Sequence, residues 1–205
     1  MFNIQKYKEK LDTFSGIVLK AYLDSAVFMS IVELANDKRR TSVFVFDYSY
    51  YCIRNRAIIS TKSIIERTGK DRLTLDTIIK ELQKNEKYKK FADELNVEYN
   101  QLFNSEGAKR VKGFRDTLCH NINDDAEKML YCKDIMAILN TCMNILQDIY
   151  QELFNVVNED FFKIRHLSVT LADDYWAAIC EQADKVPNRH KELIELQRIF
   201  NGSKS

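Results

Sequence analysis

The sequence predicts an all-α protein that folds as a single bundle of long antiparallel helices, and three observations support this fold class. Only five glycines and one proline occur in 205 residues, so few positions suit the tight turns of a β protein. Apolar residues recur at intervals of three and four along most of the chain, which is the period of a helix. Neither an internal repeat nor a low-complexity linker interrupts the sequence, so one domain is expected over residues 1–205.

The composition is that of a globular protein, with 45% apolar and 30% charged residues. A net charge of +1 predicts no general attraction to nucleic acid or anionic lipid, so such a partner would need a local basic patch. The five cysteines form no C-x-x-C pair, which is typical of reduced thiols. Neither a signal peptide nor an apolar run of about 18 residues is found, so a soluble, cytoplasmic protein without a membrane partner is expected.

The first elements are two long helices. Apolar residues at helical spacing predict a helix over Phe14–Ala35, which the basic residues 38–40 would end. The segment VFVFDYSYYC that follows is rich in β-branched and aromatic residues and could form a strand. Its apolar residues also fit helical spacing, and no turn separates them from the next residues. One helix over 43–67 is therefore predicted, with Gly69 as its C-cap.

Shorter helices are predicted in the middle of the chain. Thr74 is the expected N-cap of a helix at about 74–84. Further helices are expected at about 86–103 and 105–120, and Asn121-Ile122-Asn123 then breaks the pattern.

The last long helix is the clearest in the sequence. It is expected to start at a capping box formed by Asp124 and Glu127. A heptad seam follows, which could pack within the bundle or across a dimer. Two weaker helices, about 168–185 and 189–200, are predicted on either side of Pro187. The seam residues are Ile135, Leu139, Cys142, Leu146, Ile149, Leu153 and Val156.

Most catalytic sequence motifs are absent, including those of nucleotide-binding loops, zinc sites and serine hydrolases. No metal or cofactor is expected. The chain has three histidines, of which His166 and His190 are interpreted as ordinary surface or packing residues.

The segment that stands out is SEGAKRVKGFRDTLCHNINDD, residues 105–125. On a helix, Lys109, Lys112, Asp116 and His120 share one polar face. Gly113 lies on the same face, where the missing side chain would let a ligand approach the backbone. The buried stripe would consist of Ala108, Val111, Phe114 and Leu118.

These residue types suit metal-free RNA cleavage, in which the ribose 2′-hydroxyl attacks its own phosphate. Arg115, at the edge of the apolar stripe, and the two lysines would neutralise the phosphodiester. His120 could transfer a proton near neutral pH. Asp116, one turn earlier, could orient the imidazole and raise its pKa.

The stretch RDTLCHN, residues 115–121, resembles the R-[polar]-x-x-x-H signature of the HEPN superfamily of helical ribonucleases. The order of helices over about 14–157 resembles the AbiU-like abortive-infection branch, whereas a C-terminal helical extension over about 158–200 adds little. The resemblance implies a metal-independent endoribonuclease of toxin–antitoxin or phage-defence systems that acts as a homodimer. It also implies that Arg115 binds phosphate, that His120 is the acid or base and that Asp116 is the polar residue after the arginine.

Lys109, Lys112 and Asn121 are the candidate RNA- and phosphate-binding residues, and a nucleotidyltransferase-like antitoxin is the cognate partner to look for. A dimer also makes physical sense, because one chain supplies one motif histidine whereas cleavage uses an acid and a base. Two-fold symmetry would bring two basic sets together.

Two alternatives stay open. The chain could be a non-catalytic HEPN-like module that binds RNA, a nucleotide or a partner protein, with Arg115 capping carbonyls or pairing with Asp116. It could instead be a coiled-coil-type adaptor that uses the seam of 135–156.

Other features have a simpler structural interpretation. Arg54-Asn55-Arg56 could line the same cleft, although a solvated face is favoured, and Lys84–Lys90 is interpreted as a solvated helix start. Tyr48–Tyr51 is interpreted as core or interface, and Asp124-Asp125 as a helix cap rather than a metal site. Cys119 is interpreted as a packing residue rather than a nucleophile.

Overall fold

The computed structural model describes residues 2–36, 43–67, 72–120 and 132–165, and side chains over 2–29, 52–67, 72–115 and 133–165. Over these residues every regular element is a helix, which confirms the all-α prediction. The helices are α1 (Ile4–Asn36), α2 (Val43–Ile65), α3 (Leu75–Gln83), α4 (Lys89–Asn104), α5 (Glu106–His120), α6 (Cys132–Phe154) and α7 (159–165). None of the described helices combines the length and apolar character needed to cross a bilayer.

Four of the helices form the bundle. α1 packs against α2 and α6, and α5 closes the ring by packing against the same two helices. The α1–α6 pair is antiparallel: Lys8 lies by Phe154, whereas Ser15, further along α1, contacts Tyr150, earlier on α6.

The hairpin of α3 and α4 packs onto this bundle through buried tyrosines. The Tyr7 hydroxyl donates to the carbonyl oxygen of Ile78 at 3.2 Å, which ties α1 to α3. The Tyr99 hydroxyl donates to the carbonyl oxygen of Ile65 at 2.9 Å and so satisfies an acceptor in the last residue of α2. Thr74 caps α3 as predicted, and its capping-box partner is Thr77.

The structure decides between helix and strand for the VFVFDYSYYC segment in favour of helix, as predicted. The predicted start of α1 at Phe14 is wrong, because the helix begins at Ile4 and its early residues Tyr7 and Leu11 are fully buried. The predicted start of α4 at 86 is also early, because a turn occupies 86–88 before the helix begins.

The heptad seam of α6 lies within the chain's own core. Its residues Ile135, Leu139, Cys142, Leu146 and Ile149 are fully buried. The seam ends sooner than predicted: Leu153 is half-buried, and Val156 is 48% exposed and follows the end of α6. A chain turn explains the end of the helix, because Asn155 has a φ of 53°. Since the buried part of the seam is used internally, it gives no support to an adaptor that binds a partner along it.

Several sequence predictions lie outside the described residues. They are the basic helix end at 38–40, the Gly69 cap, the Asp124/Glu127 capping box and the helices at 168–185 and 189–200. The described part of the C-terminal extension is α7, whose Phe161 is buried. Arg165 donates to the side-chain oxygen of Asn144 at 3.0 Å, which fixes α7 to α6.

Candidate functional site

α5 is the helix that carries the motif, and its apolar stripe fixes its orientation in the bundle. Ala108 and Val111 are buried, and Phe114 is half-buried against the core. The side chain of Leu118 lies outside the described ones. The three described stripe residues therefore lie where the helical period predicts.

The opposite face of α5 is exposed. Lys109, Lys112 and Gly113 are all exposed, and the Lys109 ammonium lies 2.7 Å from the Glu106 carboxylate in a pair open to solvent. Because the Lys109 pair is solvated, its energy is small and the lysine can exchange partners at little cost. A Cβ added to Gly113 would meet no atom within 4 Å, so the backbone here is accessible to a ligand.

Of the motif side chains, the structure describes that of Arg115 but not those of Asp116 and His120. Arg115 is half-buried, at the edge of the apolar stripe as the sequence predicts. Asp116 and His120 belong to α5, but their side chains lie outside the described ones, and Asn121 lies outside the described residues altogether. Positions 115 and 120 of one straight helix differ by about 140° around the axis and about 7.5 Å along it. A single copy of α5 therefore does not place both positions on one face.

The sequence favours a solvated face for Arg54, whereas the structure places this residue against α5. Its guanidinium carbon lies 5.0 Å from the centre of the Phe114 ring, in a cation–π contact. Its Nε and Nη2 both donate to the side-chain oxygen of Asn55 at 3.3 Å. Arg56 behaves as the sequence predicts: it is exposed, and its Nε lies 2.7 Å from a carboxylate oxygen of Asp24.

Arg110 is a second residue that sequence reasoning missed. Its Nε and Nη2 donate to the two carboxylate oxygens of Asp134 at 2.8 and 2.9 Å, which clamps α5 to α6. The helices come close here, since a Cβ on Gly107 would lie 3.2 Å from the Cβ of Asp134. The sequence offered a weak signal, because Arg110 falls next to the apolar stripe, where a charge needs a partner.

The remaining candidates show structural contacts. In the Lys84–Lys90 cluster, Lys87 lies over the Tyr88 ring at 4.8 Å and Lys89 lies 3.7 Å from Glu86. Burial raises the pKa of the Cys142 thiol to about 12, so this cysteine is a packing residue rather than a nucleophile. Among the described side chains, no group of three or more histidine, cysteine or acidic residues could hold a metal ion.

Comparison with protein-family models, with curated proteins and with solved structures finds no match. Support for a function therefore comes from the chemistry of α5 and its neighbour α2. These helices offer lysine and arginine side chains beside accessible backbone, a combination suited to an anionic ligand.

Proposed function

We propose that the protein is a metal-independent endoribonuclease of the HEPN type that acts in the cytoplasm as a toxin or phage-defence effector. In this proposal, the cleavage site is composite and lies between two copies of α5. Its partners are RNA, a second copy of the chain and a nucleotidyltransferase-like antitoxin.

The observation that carries the proposal is the accessible cationic face of α5 next to Arg115. Lys109, Lys112 and Gly113 are exposed there, and Arg115 is half-buried at the edge. Lysine ammonium groups attract the phosphodiester as point charges, whereas the planar guanidinium can bind two phosphate oxygens at once.

Each motif residue then has a role in the reaction. A histidine accepts the proton of the ribose 2′-hydroxyl as its oxygen attacks the neighbouring phosphorus. The bond from phosphorus to the 5′-oxygen breaks, and a second proton donor protonates that oxygen. The products are a 2′,3′-cyclic phosphate and a 5′-hydroxyl. Arg115 and the two lysines stabilise the extra negative charge of the pentavalent phosphorus.

The dimer follows from the need for two proton-transfer groups. The motif contains only His120, and one imidazole cannot stand on both sides of the phosphorus. A second chain would supply the second histidine and also a second set of cations. A local concentration of positive charge then arises despite the net charge of +1 of the chain.

The test is cleavage of RNA by the purified full chain in EDTA, with analysis of the product ends. We expect cleavage in EDTA, 2′,3′-cyclic phosphate ends, and a loss of at least about 100-fold in rate for His120→Ala, the usual contribution of a general acid or base. The matched control is His190→Ala, which we expect to cleave as fast as the natural chain. Undiminished cleavage by His120→Ala would refute the site.

A growth assay separates the nuclease from a non-catalytic binding module. Expression of the chain should slow growth, and His120→Ala should relieve that effect. A chain that binds RNA in vitro but neither cleaves it nor slows growth would be the binding module instead.

A further inference from the structure

We propose that Arg54 of α2 is a phosphate-binding residue of the same site, so that the RNA backbone lies along the groove between α2 and α5. This inference rests on the proposed function, because it assigns a further substrate contact to that site. Arg54 lies outside the 115–120 motif, so the motif does not imply it.

The position of Arg54 is set by contacts on two sides. Phe114, under its guanidinium, stands between Gly113 and Arg115 in the sequence of α5. Arg54 therefore contacts α5 at the residue that directly precedes the motif arginine, although it comes from another helix. Asn55 holds the Nε and Nη2 edge of the same group.

This arrangement preorganises the guanidinium. A stacked arginine has lost much of its rotamer freedom before a ligand arrives, so less entropy is lost when it binds one. The aromatic ring also occupies one face of the guanidinium plane without neutralising its charge. Such a group suits a phosphate better than a flexible surface lysine does.

Arg56, on the same helix, provides the matched control for Arg54. It is exposed, and its charge is compensated by Asp24 of α1 through a contact of 2.7 Å. Because it points toward α1 and Arg54 contacts α5, the two arginines are a matched pair for experiment. Removing either changes the net charge of the chain by the same amount.

The experiment measures binding of a 2′-O-methyl oligoribonucleotide, which lacks the attacking hydroxyl and is not cleaved. Affinity is measured by fluorescence anisotropy over a range of salt concentrations for the full-length natural chain, Arg54→Gln, Arg54→Lys and Arg56→Gln. Each phosphate contact contributes about −0.7 to the slope of log K against log salt for a single strand. Loss of one contact should therefore reduce the slope by about 0.7 and weaken binding about fivefold at 0.1 M salt.

We expect this change for Arg54→Gln, a slope close to that of the natural chain for Arg54→Lys, and no slope change for Arg56→Gln. A role limited to packing on Phe114 would alter the melting temperature but not the salt slope. Should Arg54→Gln fail to fold, Arg54→Met keeps the apolar contact and takes its place.

Equal slopes for the natural chain and for the neutral variants at position 54 would overturn the inference. RNA cleavage that still depends on His120 would then leave the proposed function intact. If the natural chain neither binds the oligonucleotide nor cleaves RNA, the inference and the proposed function both fail.

Discussion

Gly113 offers a test at the scale of one residue, because Gly16 is its match elsewhere in the bundle. Both are exposed helical glycines, and a Cβ added to either would meet no atom within 4 Å. Alanine in such positions removes the conformational freedom of glycine from the unfolded chain. We therefore expect Gly113→Ala and Gly16→Ala each to raise the free energy of unfolding by about 0.5–1 kcal/mol, as measured by denaturant unfolding.

The two variants should differ in RNA cleavage. If the RNA backbone approaches α5 at Gly113, a methyl group there obstructs it, and Gly113→Ala loses activity although it is more stable. Gly16→Ala should keep full activity. Equal activity of the two variants would mean that the glycine of the polar face is not needed for a close approach.

At this scale, the sequence predicts the face on which a residue lies but not its partner on another helix. The exposure of Lys109 and the burial of Val111 follow from the helical period alone. The contacts of Arg54 with Phe114 and of Arg110 with Asp134 depend on how far one helix is shifted along its neighbour. That shift is set by packing across the whole interface, and no local pattern contains it.

The interface between α4 and α6 predicts a dependence of stability on pH. Burial raises the pKa of Glu98 on α4, and the nearby Asp148 carboxylate of α6 raises it further. Burial raises the pKa of Asp148 as well. A raised pKa means that the folded state binds the proton more tightly than the unfolded state. The stability that this provides is complete below about pH 4, the ordinary glutamate pKa, and is lost as the pH rises through the folded-state pKa.

Glu98→Gln removes this charge at every pH, so it should raise the melting temperature at pH 7 and change it little at pH 4. The difference between variant and natural chain should grow over that interval and then stay constant. Glu94→Gln, an exposed glutamate of the same helix, is the control. A gain for Glu98→Gln that is larger at pH 4 than at pH 7 would contradict the assigned direction.

Most of the helices can be predicted from the sequence, whereas some of their ends cannot. In α2, the β-branched and aromatic run has strand propensity, but its apolar spacing and the absence of a turn decided for helix, since tertiary packing outweighs propensity. The true start of α1 is nevertheless visible in the sequence, because Tyr7, Leu11 and Phe14 are spaced by four and three. The charged residues between them lie on the solvent side of the helix.

For the whole molecule, the deciding question is whether one active site needs two chains. Positions 115 and 120 diverge by about 140° on one helix, so a single copy of α5 presents them on different faces. Acid and base must also stand on opposite sides of the phosphorus. A composite site therefore predicts that a dimer containing one His120→Ala chain has lost an essential proton-transfer group.

Mixing the natural chain with the His120→Ala variant tests whether one site needs both histidines. The natural chain and His120→Ala are unfolded together and refolded at constant total concentration, so that subunits assort at random. If both histidines are required, the cleavage rate falls with the square of the fraction of natural chain, to about one quarter in an equal mixture. If each chain works alone, an equal mixture keeps about one half, and dilution with His190→Ala should cause no loss in either case. A cleavage rate that falls linearly with the fraction of natural chain would rule out the two-histidine site. If both histidines are needed, only dimers of two natural chains are active, and their fraction is the square of the fraction of natural chain.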